Sequence, residues 1–143
     1  MLEIASSGYV VVAIDHTGLA MFTDLPTGTI YNTGSTENSS DVYSVMHEMS
    51  KDIEDTVNYL QDINFTANLS DISIIGHSTG GGSGHLYCLR NRCNKLILQD
   101  PYFVPVVEKL SNIELKTDTY FIYSEDWYSN YAVSYTHLTL PTT

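Results

Sequence analysis

Gly76-His77-Ser78-Thr79-Gly80, running on into Gly81 and Gly82, is the stretch of this chain whose residue types and spacing could do covalent chemistry. It follows a short apolar run, Ile72-Ser73-Ile74-Ile75, and precedes a helix-like segment, so it reads as strand, sharp turn, helix. That is the setting of a G-x-S-x-G nucleophile elbow, in which a serine hydroxyl is held out at the carboxyl end of a strand. The flanking glycines remove side chains that would collide with the neighbouring strand and helix. The amides after the serine fall at a helix N-terminus, where the dipole favours negative charge. The bland alternative is a glycine-rich turn whose Ser78 only caps the helix.

A serine hydroxyl is a weak nucleophile until a base takes its proton and a third group orients that base. Five histidines are present. His77 is inside the elbow and is expected to pack, and His47 and His85 lie on helical segments away from the carboxyl edge. His16 is at that edge but precedes the serine, whereas the order in this architecture is Ser, then Asp or Glu, then His. His137 belongs to a tail that does not read as native protein. The base is therefore expected to be absent from this chain. For the acid, Asp100 ends the strand after the elbow helix, and Asp126, beside Glu125, ends the next one. Spacing leaves the two open, and Asp100 has an alternative role as an Asx-type turn residue before Pro101. The oxyanion hole takes one amide from the residue after the nucleophile, Thr79, and a second from a loop after an earlier strand. That loop is expected ahead of Met1.

The elements that must position these groups follow from the hydrophobic pattern. Leu2 to Ser7 reads as the last turns of a helix with Gly8 at its C-cap. Tyr9-Val10-Val11-Val12-Ala13-Ile14 is a continuous apolar, largely β-branched run, suited to a strand buried on both faces. Asp15-His16-Thr17-Gly18 ends it, and from there to Ser40 the Thr/Gly/Ser/Asn-rich composition predicts a long loop over the sheet edge. Asp41 opens a helix in which Val42, Val45, Met46, Met49, Ile53, Val57 and Leu60 recur at helical spacing. After the elbow come a helix from about Thr79 to Arg90 and a strand at Lys95–Gln99, stopped by Asp100-Pro101. A short helix near Val106 to Leu110 and a strand at Thr119–Tyr123 complete the pattern. Alternating strands and helices predict an α/β fold, a doubly wound, mostly parallel sheet with helices on both faces. Ligands of such sheets bind beyond the carboxyl ends of the strands, where Asp15, His16, Ser78, Asp100, Glu125 and Asp126 all fall.

At 143 residues the chain has the length of one domain. Its net charge of −11, from 17 acidic against 6 basic residues, with no Lys/Arg stripe, argues against nucleic acid as a partner. No apolar run approaches the ~18 residues of a membrane span, and Met1-Leu2-Glu3-Ile4 lacks the basic and apolar regions of a signal peptide. The spacing of Cys88 and Cys93 fits neither a zinc ribbon nor a redox pair, so buried free thiols are expected. Asn38-Ser39-Ser40, Asn64-Phe65-Thr66 and Asn68-Leu69-Ser70 fit the glycosylation pattern. Such triplets arise by chance in an Asn/Ser/Thr-rich chain, so the compartment stays open between cytoplasm and secretion.

Val133-Ser134-Tyr135-Thr136-His137-Leu138-Thr139-Leu140-Pro141-Thr142 is what GTC-TCT-TAT-ACA-CAT-CTG-ACG-CTG-CCG-ACG encodes, the end of a transposase-based sequencing-library adaptor. Residues 1–132 are accordingly read as a partial α/β-hydrolase domain, and 133–143 as translated adaptor outside fold and site reasoning.

Several stretches resemble the platelet-activating-factor acetylhydrolase family of α/β-hydrolases. Ile4-Ala5-Ser6-Ser7-Gly8-Tyr9-Val10-Val11-Val12-Ala13-Ile14-Asp15-His16 resembles the family's run into its fourth strand. Ile74-Ile75-Gly76-His77-Ser78-Thr79-Gly80-Gly81 resembles its elbow, and Tyr120-Phe121-Ile122-Tyr123-Ser124-Glu125 its strand after the acid. The more diagnostic stretch is Leu98-Gln99-Asp100-Pro101-Tyr102-Phe103-Val104-Pro105, similar to the family's acid segment. The likeness spans about Leu2 to Ala132. It implies Ser78 as nucleophile and Asp100 rather than Asp126 as acid. The family's histidine would fall beyond Ala132 and its oxyanion loop before Met1.

The implied activity is hydrolysis of short or oxidised acyl esters on phospholipids through an acyl-serine, without metal or cofactor. It leaves room for peripheral contact with a lipid surface. Tyr102 and Phe103 are candidate pocket walls, with core packing as their alternative. Rival readings are a general carboxylesterase or dienelactone-hydrolase-like enzyme, and a hydrolase-fold binding domain without catalysis. On its own, the chain is expected to be a marginal, inactive partial domain exposing an unpaired strand edge.

Overall fold

A computed structural model describes residues 1–32, 42–103, 105–106 and 116–131 of the chain, the last two without their side chains. In chain order the elements are α1 (Leu2–Ser6), β1 (Phe22–Leu25), β2 (Gly28–Tyr31), α2 (Val42–Asp62), β3 (Ser73–His77), α3 (Thr79–Arg90), β4 (Lys95–Gln99), β5 (Asp118–Ile122) and α4 (Glu125–Tyr131). The sequence puts Gly8 at the C-cap of α1; the C-cap is Ser7, and Gly8 follows it with φ 92°, its amide donating to the Ala5 carbonyl at 3.0 Å.

β3, β4 and β5 form a parallel three-stranded sheet in that order, with Ser73 opposite Lys95 and Lys95 opposite Asp118. The fold is therefore mixed α/β. The strand order follows the chain without reversal, so within the described residues the winding runs in one direction only.

Alternation along the central strand decides which face is covered. Leu96 and Leu98 of β4 are fully buried, while Lys95 and Gln99 are exposed. α3 lies on that face so closely that a Cβ at Gly84 would meet Ile74 Cγ2 at 2.7 Å. α2 packs on α3 through the stripe read from the sequence, with Met46, Ser50 and Ile53 buried. A Cβ at Gly82 would meet Met46 Sδ at 2.7 Å and the Tyr102 carbonyl at 2.8 Å, so only glycine admits this approach. Arg90 Nη2 donates to the buried Ser50 Oγ at 2.6 Å and ties the far end of α3 to α2. Phe103 and Val106 complete the core beneath α3. On the opposite face Ile75, Tyr120 and Ile122 remain 45–53% exposed, so the described helices leave it open.

Three expectations are corrected. Tyr9–Ile14 pairs with no described strand, and Tyr9, Val10 and Val12 are exposed. Apolar, β-branched composition favours extended backbone, but a strand also needs an edge beside it to take its N–H and C=O groups. Among the described residues the end of this run is anchored by Ile14 against the core and by a 2.7 Å bond between His16 Nδ1 and Asp52 Oδ2 of α2.

The stretch after Gly18 is not all loop. β1 and β2 form an antiparallel hairpin around Pro26-Thr27, with Leu25 opposite Gly28 and Thr29 Oγ1 donating to Asp24 Oδ1 at 2.7 Å. Proline sets φ for the first corner position of such a turn.

Cys88 and Cys93 are not free thiols but a disulfide, Cα–Cα 5.3 Å, joining the last turn of α3 to the start of β4. The short spacing suits neither metal nor a redox motif, yet the turn between helix and strand brings the two residues within bridging distance. The helix predicted near Val106 to Leu110 lies outside the described residues from 107 onward, as does the 133–143 segment.

Candidate active site

Ser78 joins β3 to α3 with no residue between, at φ 52° and ψ −121°. A side chain bearing Cβ rarely occupies this region, and holding it there costs about 1–3 kcal/mol. The surrounding backbone fixes it. The Ser78 amide donates to the Gln99 carbonyl at 3.0 Å, and the Ser78 carbonyl accepts from Tyr102 at 2.9 Å and Gly81 at 3.0 Å. Gly76 lets the helix start fold back over the strand, since a Cβ there would lie 2.5 Å from the Gly80 carbonyl oxygen. Gly80 itself has open space, so the tight approaches fall on Gly76, Gly81 and Gly82. Ser78 occupies the N-cap position of α3 yet makes no side-chain capping bond, which leaves the hydroxyl outside the helix ladder. Thr79 is the first residue of α3, where backbone N–H groups have no acceptor within the helix.

Asp100 lies at the carboxyl end of the adjacent strand, also with positive φ (40°). Its amide donates to the Ile122 carbonyl at 2.9 Å, continuing the ladder toward β5. Its Oδ1 accepts from the Ser124 amide at 2.6 Å. The carboxylate is thus directed across the strand ends rather than into a local Asx turn. Asp126 lies on the exposed first turn of α4.

Ser124, to which the sequence assigns no role, donates its amide to Asp100 and accepts from the Trp127 amide through Oγ at 3.3 Å. Trp127 Nε1 donates to the Pro101 carbonyl at 3.2 Å and pins α4 to the Asp100-Pro101 corner. The signal was available: Ser124-Glu125-Asp126 is a capping residue followed by acids, the signature of a helix start.

Phe103 is core, in edge contact with His85 (5.1 Å between centroids) and Phe121 (6.1 Å), while Tyr102 is half-buried beside it. Among the described residues no histidine is hydrogen-bonded to Ser78. His16 is held by Asp52, and His47 lies 3.8 Å from Glu48. His77, expected to pack, is instead exposed at the end of β3, on the opposite side of the strand from the buried Gly76. His85 Nδ1 is buried without a hydrogen-bond partner, and burial pushes its pKa down to about 4, so it is neutral at pH 7. A cavity of about 1230 Å³, with Ile72, Asn94, Arg92, Cys93 and Lys116 in its wall, lies at the amino ends of the strands, opposite Ser78.

The described residues hold no cluster of three or more potential metal ligands, and no described helix is long and apolar enough to cross a membrane. No family model, curated protein or solved structure matches the chain.

Proposed function

We propose that this chain carries the nucleophile and acid of a serine ester hydrolase, with Ser78 forming the acyl-enzyme and Asp100 steadying the base. The observation that carries the reading is the Ser78 backbone, held at φ 52° between a parallel strand and the first residue of a helix. Strain of this kind persists where the geometry is used. Attack by Ser78 Oγ on an ester carbonyl would place the developing oxyanion near the Thr79 amide, and the alcohol would leave with the proton taken from Ser78. The general base is a histidine that the resemblance puts after Ala132, and the second oxyanion amide one that it puts ahead of Met1. The same resemblance favours short or oxidised acyl esters of phospholipids, bound beside Tyr102, over small soluble esters.

The test uses a reading frame that contains residues 1–132 with both flanks. A fluorophosphonate should label Ser78, and Ser78→Ala should lose both label and ester turnover. Hydrolysis of short p-nitrophenyl esters but not of phospholipid micelles would replace the phospholipid reading with the general esterase. A second reading, a hydrolase-fold binding domain without catalysis, draws support from the large cavity lying away from Ser78. An unlabelled Ser78 in the folded longer protein would favour it.

A further inference from the structure

The connection between α2 and β3 carries two Asn-x-Ser/Thr triplets that ester hydrolysis does not use, Asn64-Phe65-Thr66 and Asn68-Leu69-Ser70. Composition alone produces such triplets, so the pattern decides nothing without geometry. Three observations bear on Asn68, and the second separates it from Asn64. Like Asn64 it is exposed, on a connection outside both flanking elements. Its Oδ1 accepts from the Ser70 amide at 3.2 Å and from Ser70 Oγ at 2.7 Å, so the hydroxyl of the triplet already sits on the acceptor carboxamide. Among the described residues no such bond joins Thr66 to Asn64. Finally, the Cys88–Cys93 disulfide belongs to an oxidising compartment, which is also where N-linked glycans are added.

We propose that Asn68 is an N-glycosylation site, the acceptor of an oligosaccharide carried on a lipid pyrophosphate. In the transfer Asn68 Nδ2 forms a bond to the anomeric carbon of the first sugar. The bond from that carbon to the pyrophosphate oxygen breaks, its electron pair leaving with the lipid pyrophosphate, and one Nδ2 proton passes to a base of the transferase. The two donors on Oδ1 draw electron density toward the carbonyl oxygen and ease the loss of that proton. Ser70 lines the cavity at the amino ends of the strands, so a glycan here stands at the opposite end of the sheet from Ser78 and leaves it clear. The inference does not depend on the ester-hydrolase reading.

The full chain, behind a cleavable signal sequence, is made in a eukaryotic secretory host, and the total product is recovered from membranes and medium. It is then treated with peptide N-glycosidase in ¹⁸O-water and peptide-mapped. Asn68 is expected to be converted to ¹⁸O-labelled aspartate. The label is lost in Asn68→Gln and in Ser70→Ala, and retained in Asn64→Gln. Sampling the membrane fraction keeps the result readable even where a variant folds poorly. Label at Asn64 alone, or none at Asn68, overturns the assignment. So does an unmodified Asn68 in the same map of protein drawn from its own cells.

Discussion

The Ser78 backbone grips the chain on both sides of Asp100, donating to Gln99 at 3.0 Å and accepting from Tyr102 at 2.9 Å. The parallel ladder between β3 and β4 therefore continues past the strand ends and steps over Asp100-Pro101, whose positive φ turns the carboxylate toward Ser124. The two residues that the proposed chemistry needs are thus coupled through backbone hydrogen bonds. The elbow and the acid corner are expected to form or fail as one unit.

The strain at Ser78 gives the first prediction. Ser78→Gly removes the hydroxyl and also the Cβ that the backbone conformation disfavours, whereas Ser78→Ala removes only the hydroxyl. The glycine variant should be the more stable of the two by about 1 kcal/mol, and both should lose fluorophosphonate labelling. Urea midpoints of the two variants measure the difference. Equal midpoints would mean that the elbow stores no usable strain.

At Asp100 the two simplest substitutions should separate stability from chemistry. Asp100→Asn keeps an oxygen for the Ser124 amide and tolerates positive φ, so stability should change by less than about 0.5 kcal/mol. Asp100→Ala leaves that amide unpaired and should cost about 1–2 kcal/mol. In the longer protein both should lower ester turnover by roughly 10³–10⁴, because neither can stabilise an imidazolium.

The glycines of the elbow are not equivalent, and Gly76 and Gly80 should respond in opposite directions. A Cβ at Gly76 meets the Gly80 carbonyl oxygen at 2.5 Å, a backbone atom that cannot swing away. Gly76→Ala should destabilise by about 1–3 kcal/mol or more. Gly80 has nothing within 4 Å and lies in the first turn of α3, so Gly80→Ala should be neutral or stabilising by up to about 1 kcal/mol. Thermal melts of the two variants decide it.

The elements that were legible in the sequence are those whose pattern is local. The α2 stripe, the β4 run, Gly8 and the strand–Ser78–helix order all follow from spacing or from a single residue type. Tyr9–Ile14 differs because composition reports a preference for extended backbone but not the presence of a neighbouring edge. The Pro26-Thr27 hairpin was hidden in a stretch rich in loop residues, although Phe22, Ile30 and Tyr31 flank the turn. The Cys88–Cys93 bridge depends on how sharply the chain turns from α3 into β4, which spacing does not encode. Spacing leaves Asp100 and Asp126 open because both end a strand; the Ser124 contact to Asp100 depends on where the turn after β5 runs, which spacing does not encode.

The disulfide closes a short loop, so its contribution through the unfolded chain should be modest, about 2 kcal/mol. Reduction should lower the urea midpoint accordingly, and Cys88→Ser with Cys93→Ser should reproduce the shift and abolish its dependence on reductant. The two cysteines are buried, so slow reduction in the native state is expected.

His85 makes the fold sensitive to acid. Burial against Phe103 holds its imidazole neutral, with Nδ1 unpaired and the pKa lowered from 6.5 to about 4. The unfolded chain, by contrast, takes up this proton near pH 6.5. The stability that His85 contributes is therefore intact above pH 6.5 and is lost progressively as pH falls from 6.5 to 4, by up to about 3 kcal/mol. Carboxylates titrate at the lower end of the same window, so the contribution is isolated by comparison with a variant that has no proton to bind. His85→Phe keeps an aromatic edge against Phe103 and should lose much less stability than the wild type between pH 7 and pH 4.5. Parallel losses in the two proteins would show that the proton enters the folded His85 at no cost, and that its site is more open to water than the burial of Nδ1 implies.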